Sequence, residues 1–180
     1  MKITETGFDG LLLITPTVFN DDRGYFFESY HKEKFLTAGI SFDLVQDNHS
    51  MSHKGVLRGL HFQNPPFAQG KLVKVLSGSV LDVVVDLRKK SDTFGKHFSV
   101  VLNAADPTML WIPPGFAHGF VSLENNTIFH YKCTHVYNKN SESGIVYNDA
   151  ELGINWQIKD PVISDKDKIL PKFKDVSILF

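Results

Sequence analysis

Short apolar segments separated by turn residues fill the middle of the chain, and this spacing limits the folds that it can adopt. The clearest example is KLVKVLSGSVLDVVVDLR at 71–88, in which two arms rich in Val and Leu flank Ser77-Gly78-Ser79. This pattern predicts a β-hairpin that turns at those three residues. Many short strands with little helix are typical of an all-β sandwich or barrel. The further strand candidates are 97–103, 108–112, 117–123 and 127–137.

The two ends of the chain are less regular. Residues 32–39 form a predicted short helix that Gly39 closes. The segment 149–180 contains several prolines and predicts short helical or irregular pieces. The remaining predicted elements are strands at 11–19, 25–30, 41–49 and 55–63, with a turn at 20–24.

Size and charge exclude several function classes. A chain of 180 residues suits one domain with a real core. Its formal net charge of -1 gives no broad basic field for nucleic acid or for an anionic membrane. Cys133 is the only cysteine, so no intrachain disulfide is possible. The N-terminal residues lack a signal-peptide apolar region, and no apolar run approaches about 18 residues, so we expect a cytoplasmic protein.

Polar residues are concentrated in the segment VQDNHSMSHKGVLRGLHFQNPPFAQGK at 45–71. Because Leu57, Leu60 and Phe62 have the character of core residues, we expect the polar groups between them at the edge of an apolar interior. Surface strands also alternate in this way, but Arg, His and Lys in so short a run favour a pocket for a polar, anionic small molecule. Gly59 suggests a bulge that turns the residues on both sides of it inward. The polar residues are Gln46, Asn48, Arg58, His61, Gln63 and Lys71.

The segment WIPPGFAHGF at 111–120 contains Pro113, Gly115 and His118 in the spacing Pro-x-Gly-x-x-His, and it resembles the second half of the cupin signature. Metal cupins carry His-x-His and a Glu in the first half. Here the corresponding residues are Leu60-His61-Phe62-Gln63, and the second histidine is absent. Because a three-histidine site needs clustered imidazoles, we predict no metal ion. The jelly-roll fold of cupins agrees with the strand pattern.

His61 and Tyr131 are the candidates for proton transfer. A histidine without a metal can act as a general base because its unperturbed pKa is about 6.5, although a histidine satisfied in a core or on the surface fits the sequence as well. A tyrosine, with an unperturbed pKa of about 10, is neutral at pH 7 and can donate a proton; a packed strand tyrosine is the alternative. In the predicted strand 127–137, side chains alternate between the two faces, so that one face carries Phe129, Tyr131, Cys133, His135 and Tyr137.

Arg58 and Lys71 are the candidates for binding negative charge. Either can stabilise an oxyanion or bind phosphate. Arginine suits bidentate phosphate binding, and lysine acts as a point charge. The alternative for Lys71 is an ordinary surface lysine, hydrated at the start of a strand.

Eight segments occur in order over nearly the whole chain: DDRGYFFESY (21–30), VQDNHS (45–50), GVLRGLHFQ (55–63), AQGKLVKV (68–75), VVVDLRKKSDTFG (83–95), LWIPPGFAHGF (110–120), YKCTHVYNKNSESGI (131–145) and ISDKD (163–167). Together they resemble the dTDP-4-dehydrorhamnose 3,5-epimerase family, cupin-fold enzymes of nucleotide-sugar metabolism. Single motifs of this kind are weak, but eight in order are specific. The departures are Cys133 in place of the commoner alanine and Ser91-Asp92-Thr93 in place of Ser-Pro-Thr, and neither touches a proposed catalytic group.

The resemblance implies a role for each matching residue. His61 matches the catalytic base, Asp167 the carboxylate paired with it, Tyr131 the general acid, and Lys71 the lysine beside the 4-keto oxygen of the sugar. The residues that match diphosphate contacts are Arg23, Arg58 and His118. Those that match nucleotide-binding segments are Glu28, Gln46, Asp47 and Asn48, with Phe26 nearby. Further binding positions are Glu142, Lys166 and the pocket aromatic Tyr137.

The resemblance also implies an overall architecture and activity. We expect residues 1–180 to form one cupin-like jelly-roll domain and to epimerise carbons 3 and 5 of dTDP-4-dehydro-6-deoxy-D-glucose through an enolate. The reaction involves no redox change, and the chain has no Gly-rich dinucleotide fingerprint, so we expect no cofactor. Family members are homodimers that exchange a strand or arm, so the segment around Arg23 is expected to reach the partner. The alternatives are an epimerase that acts at one carbon only and a non-catalytic sugar-nucleotide binding module.

Overall fold

The computed structural model describes residues 1–177 and 180. Strands dominate the described residues, and the helices are short. The elements are β1 (Lys2–Glu5), β2 (Leu12–Thr15), β3 (Val18–Asp21), β4 (Gly24–Phe27), α1 (Lys32–Thr37), β5 (Gln46–Ser52), β6 (Val56–Gln63), β7 (Lys71–Ser77), β8 (Ser79–Asp86), β9 (His97–Asn103), β10 (Met109–Ile112), β11 (Phe116–Ser122), β12 (Thr127–Cys133), β13 (Glu142–Gly144), β14 (Val162–Ile163), α2 (Asp165–Lys168) and a 3₁₀ helix (Phe173–Asp175).

Two packed sheets form the body of the molecule. The first has the strand order β1-β2-β10-β7-β12-β5, and the second has the order β13-β6-β11-β8-β9 with β14 added in parallel beside β6. The hairpin β3–β4 forms a separate two-stranded sheet. The mainly β, two-sheet architecture predicted from the strand spacing is therefore confirmed. No helix among the described residues is both long enough and apolar enough to cross a membrane.

The predicted hairpin at 71–88 is wrong, because β7 and β8 belong to different sheets. The chain passes from one sheet to the other at Gly78, whose φ is +76° and where an added Cβ would collide with Thr127. Every residue of β8 is buried, since both of its faces are covered. The Val-rich arms are strands as predicted, but each finds its partners elsewhere in the chain.

Several predicted strands are shorter in the structure. The predicted strand 11–19 is divided into β2 and β3 at Pro16, which has no N–H to donate to a ladder. Strand β4 ends at Phe27, β5 begins only at Gln46, and β12 ends at Cys133. The helix predicted for 32–39 is confirmed as α1, with Gly39 following it at φ +81°.

Three buried clusters hold these layers together. Val84 and Phe129 belong to the cluster between the two sheets. Val83 and Trp156 belong to a cluster that packs the C-terminal segment on the outer face of the second sheet. Phe35 of α1 packs against the outer face of the first sheet. The C-terminal segment is thus fixed beside β6, where it contributes to the site described below.

A register irregularity in β6 turns two functional side chains in one direction. His61 lies opposite His118 on β11, whereas Arg58 lies opposite Phe120, so β6 holds one residue more than β11 over this interval. Gly59 lies within it, and both Arg58 and His61 line the main cavity. The bulge predicted at Gly59 is therefore confirmed.

Gly59→Ala is expected to lower the free energy of unfolding by about 2–5 kcal/mol, from backbone strain and a steric clash together. Gly59 has φ +134°, and its added Cβ would lie 2.5 Å from the Cα of Gly119. Gly24→Ala is the matched control, because Gly24 has φ +126° but nothing within 4 Å of its added Cβ. Urea unfolding of the two variants compares them. Equal losses would contradict the claim that close approach of β6 and β11 requires glycine.

Candidate active site

Two adjoining cavities open between the sheets. The larger has a volume of about 530 Å³ and is lined by residues of β5, β6, β7, β11, β12 and the segment of β14 and α2. The smaller has a volume of about 190 Å³. His61, Lys71 and Tyr131 line both cavities. Three of the four predicted catalytic residues therefore lie at the boundary between the two cavities.

His61 and Asp167 form a hydrogen-bonded pair. The Nε2 atom of His61 lies 2.8 Å from Oδ1 of Asp167, which is buried. Burial alone raises the pKa of Asp167, but the hydrogen bond and charge of His61, together with the Gly59 N–H, outweigh it and lower that pKa. Because an ionised carboxylate only accepts hydrogen bonds, it holds the Nε2 proton and leaves Nδ1 of neutral His61 as the basic nitrogen.

The short helix α2 fixes Asp167 in position. Ser164 is the N-cap residue of α2, and its hydroxyl accepts a hydrogen bond from the Asp167 N–H at 3.1 Å. The other carboxylate oxygen of Asp167 accepts from the Gly59 N–H at 3.2 Å. Asp167 is thereby held both by its own helix and by the bulge next to His61.

Tyr131 approaches the cavity from the sheet opposite to that of His61. It lies on β12 in the first sheet, whereas His61 lies on β6 in the second. Its ring packs against Phe129, with ring centroids 6.2 Å apart. Burial is the main cause of the raised pKa of Tyr131, so the phenol keeps its proton at neutral pH. A proton donor and a base on opposite walls suit a reaction that changes the configuration of a carbon.

Lys71 brings a partly buried amino group to the same boundary. Burial lowers the pKa of Lys71, and Cys133, Asp82 and Glu142 act in the opposite direction. Because the site shields this group from water, a protonated Lys71 would act strongly on a neighbouring oxyanion.

His118 and Asp82 form a second histidine–carboxylate pair. Nε2 of His118 lies 2.9 Å and 3.1 Å from the two carboxylate oxygens of Asp82, which is fully buried. The imidazole stacks on Phe129 with ring centroids 5.9 Å apart. The sequence prediction included His118 but missed Asp82, although an acidic residue within the apolar run VLDVVVD was a usable signal.

Arg58 is held over the larger cavity by backbone and side-chain acceptors. Its Nε donates to Ser52 Oγ at 3.1 Å, and one terminal nitrogen donates to the Met51 carbonyl at 3.3 Å. Lys166 also lines this cavity and donates to Glu142 at 2.6 Å. The larger cavity therefore carries the cationic groups that a diphosphate requires.

Amide and aromatic side chains form the smaller cavity. Gln46, Asn48, Tyr137 and Glu142 line it. The backbone N–H of Tyr137 donates to Gln46 Oε1 at 2.8 Å, and its hydroxyl donates to Glu142 Oε2 at 2.8 Å. Tyr137 lies beyond the end of β12, so its position is set by these two hydrogen bonds and not by the predicted strand periodicity.

Four predicted binding residues lie outside both cavities in the single chain. Asp47 points away because alternate residues of β5 face opposite sides, and it forms an ion pair with Lys132 at 2.7 Å on the outer face. The role of Asp47 in nucleotide binding stays a prediction, although the side chain lies outside the cavity that Gln46 and Asn48 line. The other three belong to the exposed β3–β4 hairpin and the residue after it: Arg23, Phe26 and Glu28.

Gln63 belongs to the polar segment 45–71, and neither the residue pattern nor the family resemblance predicts a role for it. It is buried; its Nε2 donates to the Phe67 carbonyl at 2.7 Å, and its Oε1 accepts from the Asn138 N–H at 2.7 Å. Gln63 thus links the two loops beside Tyr137 through hydrogen bonds.

Among the described residues no group of three or more His, Cys, Asp or Glu side chains is arranged to hold a metal ion. The independence from metal stays a prediction.

Comparison with known proteins agrees with this geometry. The family model for dTDP-4-dehydrorhamnose 3,5-epimerase matches residues 5–175. The dTDP-4-dehydrorhamnose 3,5-epimerase of Shigella flexneri is 48% identical over 176 residues, which cover 97% of each chain. The crystal structure of this epimerase from Elizabethkingia anophelis has a TM-score of 0.94 at 47% identity, again over 97% of each chain.

A further solved structure is that of the dTDP-6-deoxy-D-glucose-3,5-epimerase from Legionella pneumophila in complex with dTDP-4-keto-L-rhamnose. It has a TM-score of 0.93 and 43% identity, and the match covers 98% of this chain and 94% of that one. Likeness at this level confirms the mainly β, cupin-like fold class. The chain belongs to the dTDP-4-dehydrorhamnose 3,5-epimerase family.

Proposed function

We propose that the chain epimerises carbons 3 and 5 of dTDP-4-dehydro-6-deoxy-D-glucose to give dTDP-4-dehydro-L-rhamnose, in the biosynthesis of dTDP-L-rhamnose. One observation supports the mechanism above all others. His61 and Tyr131 extend from opposite sheets to the boundary of the two cavities, and Lys71 lies at the same boundary. This arrangement provides a base, an acid on the opposite wall, and a cation for the oxygen between them.

The first step removes a proton next to the ketone. The 4-keto group acidifies the protons on carbons 3 and 5, and Nδ1 of His61 takes one of them. The ionised carboxylate of Asp167 stabilises the imidazolium that forms. The electron pair moves onto the keto oxygen, where Lys71, with Arg58, stabilises the developing negative charge.

The second step returns a proton to the opposite face. Tyr131 donates its phenolic proton to the carbon, and the double bond reverts to the ketone with inverted configuration. His61 then releases its extra proton to solvent and Tyr131 regains one from solvent, so that the same two steps at the other carbon complete the reaction. Only protons move, so the chemistry calls for no hydride acceptor.

The binding residues divide between the two cavities. Arg58, His118 and Lys166 would hold the diphosphate, since all three line the larger cavity and Arg58 and Lys166 supply cationic groups there. Gln46, Asn48 and Tyr137 would contact the nucleotide from the smaller cavity, with Glu142 holding Tyr137 and Lys166 in place. A single domain over 1–180 and a cytoplasmic location belong to the same proposal.

A homodimer completes this account. Phe19, Tyr25 and Phe26 on the β3–β4 hairpin are 62%, 67% and 68% exposed in the single chain, and clustered exposed aromatic side chains typically mark an interface. The hairpin would carry Arg23 and Phe26, with Glu28 just beyond, into the cavity of the partner. These residues lie outside the cavities of their own chain, which supports the exchange.

The dimer is expected to appear by light scattering at micromolar concentration as two chains per particle. A mixing experiment tests the exchange itself. His61→Asn and Arg23→Ala chains, refolded together, should regain up to about a quarter of the parent activity, because mixed dimers contain one intact site. One chain per particle, or no gain on mixing, would contradict the proposal.

Incubation with the substrate in deuterated water distinguishes the candidate functions. Deuterium at both carbon 3 and carbon 5 supports the double epimerase. Deuterium at one of them supports an epimerase that acts at one carbon only, and no deuterium supports a non-catalytic binding module. We expect exchange at both positions and the same rate with a chelator present. A rate that vanishes with chelator and returns with a divalent ion would overturn the metal-free mechanism.

A further inference from the structure

We propose that Gln63 is a positioning residue for nucleotide binding, whose side-chain amide holds the loop between β12 and β13, residues 134–141, so that Tyr137 lies at the smaller cavity. The inference rests on the proposed function. Gln63 is the last residue of β6, lines the smaller cavity and is 4% exposed. Because a buried amide needs partners for both its nitrogen and its oxygen, the groups that it reaches show what it holds in place.

Gln63 contacts the backbone on both sides of Tyr137. Its Nε2 donates to the Val136 carbonyl at 3.3 Å, and its Oε1 accepts from the Asn138 N–H at 2.7 Å. The same Nε2 donates to the Phe67 carbonyl at 2.7 Å, which links the loop to the segment after β6. One buried side chain thus fixes the backbone from which the ring of Tyr137 extends.

Glutamine side chains hold this loop in the place of a neighbouring strand. The His135 carbonyl accepts from Gln69 Nε2 at 2.7 Å, and the Tyr137 N–H donates to Gln46 Oε1 at 2.8 Å. With the two contacts of Gln63, four consecutive residues of the loop each bind a glutamine amide through a backbone group. Of the three glutamines, Gln63 alone is buried, and it makes two of these four contacts. Its loss should therefore loosen the loop more than the loss of either other glutamine.

The same contacts also lead to the partner of the Tyr137 hydroxyl. The carbonyl of Asn138 accepts from the N–H groups of Ser141 and Glu142, each at 3.1 Å. This turn carries Glu142, whose carboxylate accepts the Tyr137 hydroxyl, to its register position opposite Gln63. Gln63 thus determines the position of Tyr137 at its backbone and, through the turn, at its hydroxyl.

A loosened loop should weaken nucleotide binding without slowing the chemistry. Tyr137 is 54% exposed in the single chain, so these hydrogen bonds determine its position more than packing does. Without them, binding of the nucleotide must also order the loop, which lowers the affinity. Among the described residues, the amide of Gln63 makes no hydrogen bond to the side chains of His61, Lys71 or Tyr131. We therefore expect KM to change much more than kcat.

Calorimetry with dTDP and steady-state kinetics in the full chain test the inference. Gln63→Met, which keeps the length of the side chain and removes its hydrogen bonds, should weaken dTDP binding and raise KM about 10-fold, with kcat close to that of the parent. Gln63→Glu keeps the acceptor for the Asn138 N–H and loses the donor, so it should weaken binding in the same direction with less disturbance of the fold. Gln157→Met is the matched control and should change neither quantity, because Gln157 is exposed and lines neither cavity.

A double-mutant cycle shows whether Gln63 acts through Tyr137. In a Tyr137→Ala background, Gln63→Met should cause no further loss of dTDP affinity, because the ring that the loop positions is already absent. A further loss as large as that in the parent background would mean that Gln63 acts independently of Tyr137, and the inference would fail.

Other results would overturn the inference while the parent chain still epimerises and binds dTDP. One is unchanged dTDP affinity in a Gln63→Met chain that circular dichroism shows to be folded. Another is a fall in kcat as large as the loss of affinity, which would place the effect of Gln63 at the reacting atoms. Failure of both Gln63 variants to fold would make this residue a part of the core alone. A parent chain that neither binds dTDP nor turns over would instead reject the proposed function, and with it this inference.

Discussion

His61→Asn is expected to eliminate both deuterium exchange and epimerisation at carbons 3 and 5, a loss of at least about 10⁴-fold. Asparagine keeps an N–H that can donate to Asp167 but has no basic nitrogen. Among the described residues, no other histidine paired to a carboxylate lies at the boundary of the two cavities. His118 is hydrogen-bonded to Asp82, but it lines only the larger cavity. We therefore expect one base to serve both carbons.

The measurement follows deuterium uptake by NMR and product formation in parallel. His97→Asn is the matched control, because His97 lies on the edge strand β9 and lines neither cavity. It should retain the parent rate. Exchange at the parent rate in His61→Asn would mean that the base lies elsewhere, and the mechanism would fail.

Tyr131→Phe is expected to lower the rate of product formation by about 10²–10⁴-fold, the usual contribution of one positioned acid. The substitution keeps the ring and its contact with Phe129 and removes only the hydroxyl. Because burial raises the pKa of Tyr131, the parent enzyme holds this proton ready over the whole neutral range.

Tyr147→Phe provides the control for loss of a tyrosine hydroxyl. Tyr147 packs against the cluster under the C-terminal segment and lines neither cavity. Both variants are compared at saturating substrate after circular dichroism has established that they are folded. Product formation at the parent rate in Tyr131→Phe would assign the acid to water or to another group.

Local sequence patterns predicted much of the fold. Alternation along β12 correctly placed Phe129, Tyr131 and Cys133 on one face, which the structure shows to line the cavities, and Gly59 correctly marked the irregularity in β6. These features depend on neighbouring residues, whose side-chain periodicity a sequence displays directly.

Partners distant in sequence were beyond such reasoning. The arms around Gly78 have the composition of a hairpin, yet their partners are set by packing between two sheets. Asp167 lies 106 residues from His61 and was predicted only through the family resemblance. Asp82 was missed because an acid within an apolar strand shows its importance only when its partner, His118, is known.

The separate roles of His61 as base and Tyr131 as acid are tested most directly by the ratio of deuterium exchange to epimerisation in Tyr131→Phe. We predict that His61 still forms the enolate in this variant, so that exchange survives while product formation falls, and the ratio rises well above that of the parent. His61→Asn should lose both activities. If exchange and epimerisation in Tyr131→Phe fell by the same factor, with a ratio equal to that of the parent, the assignment of Tyr131 as the opposite-face acid would be contradicted.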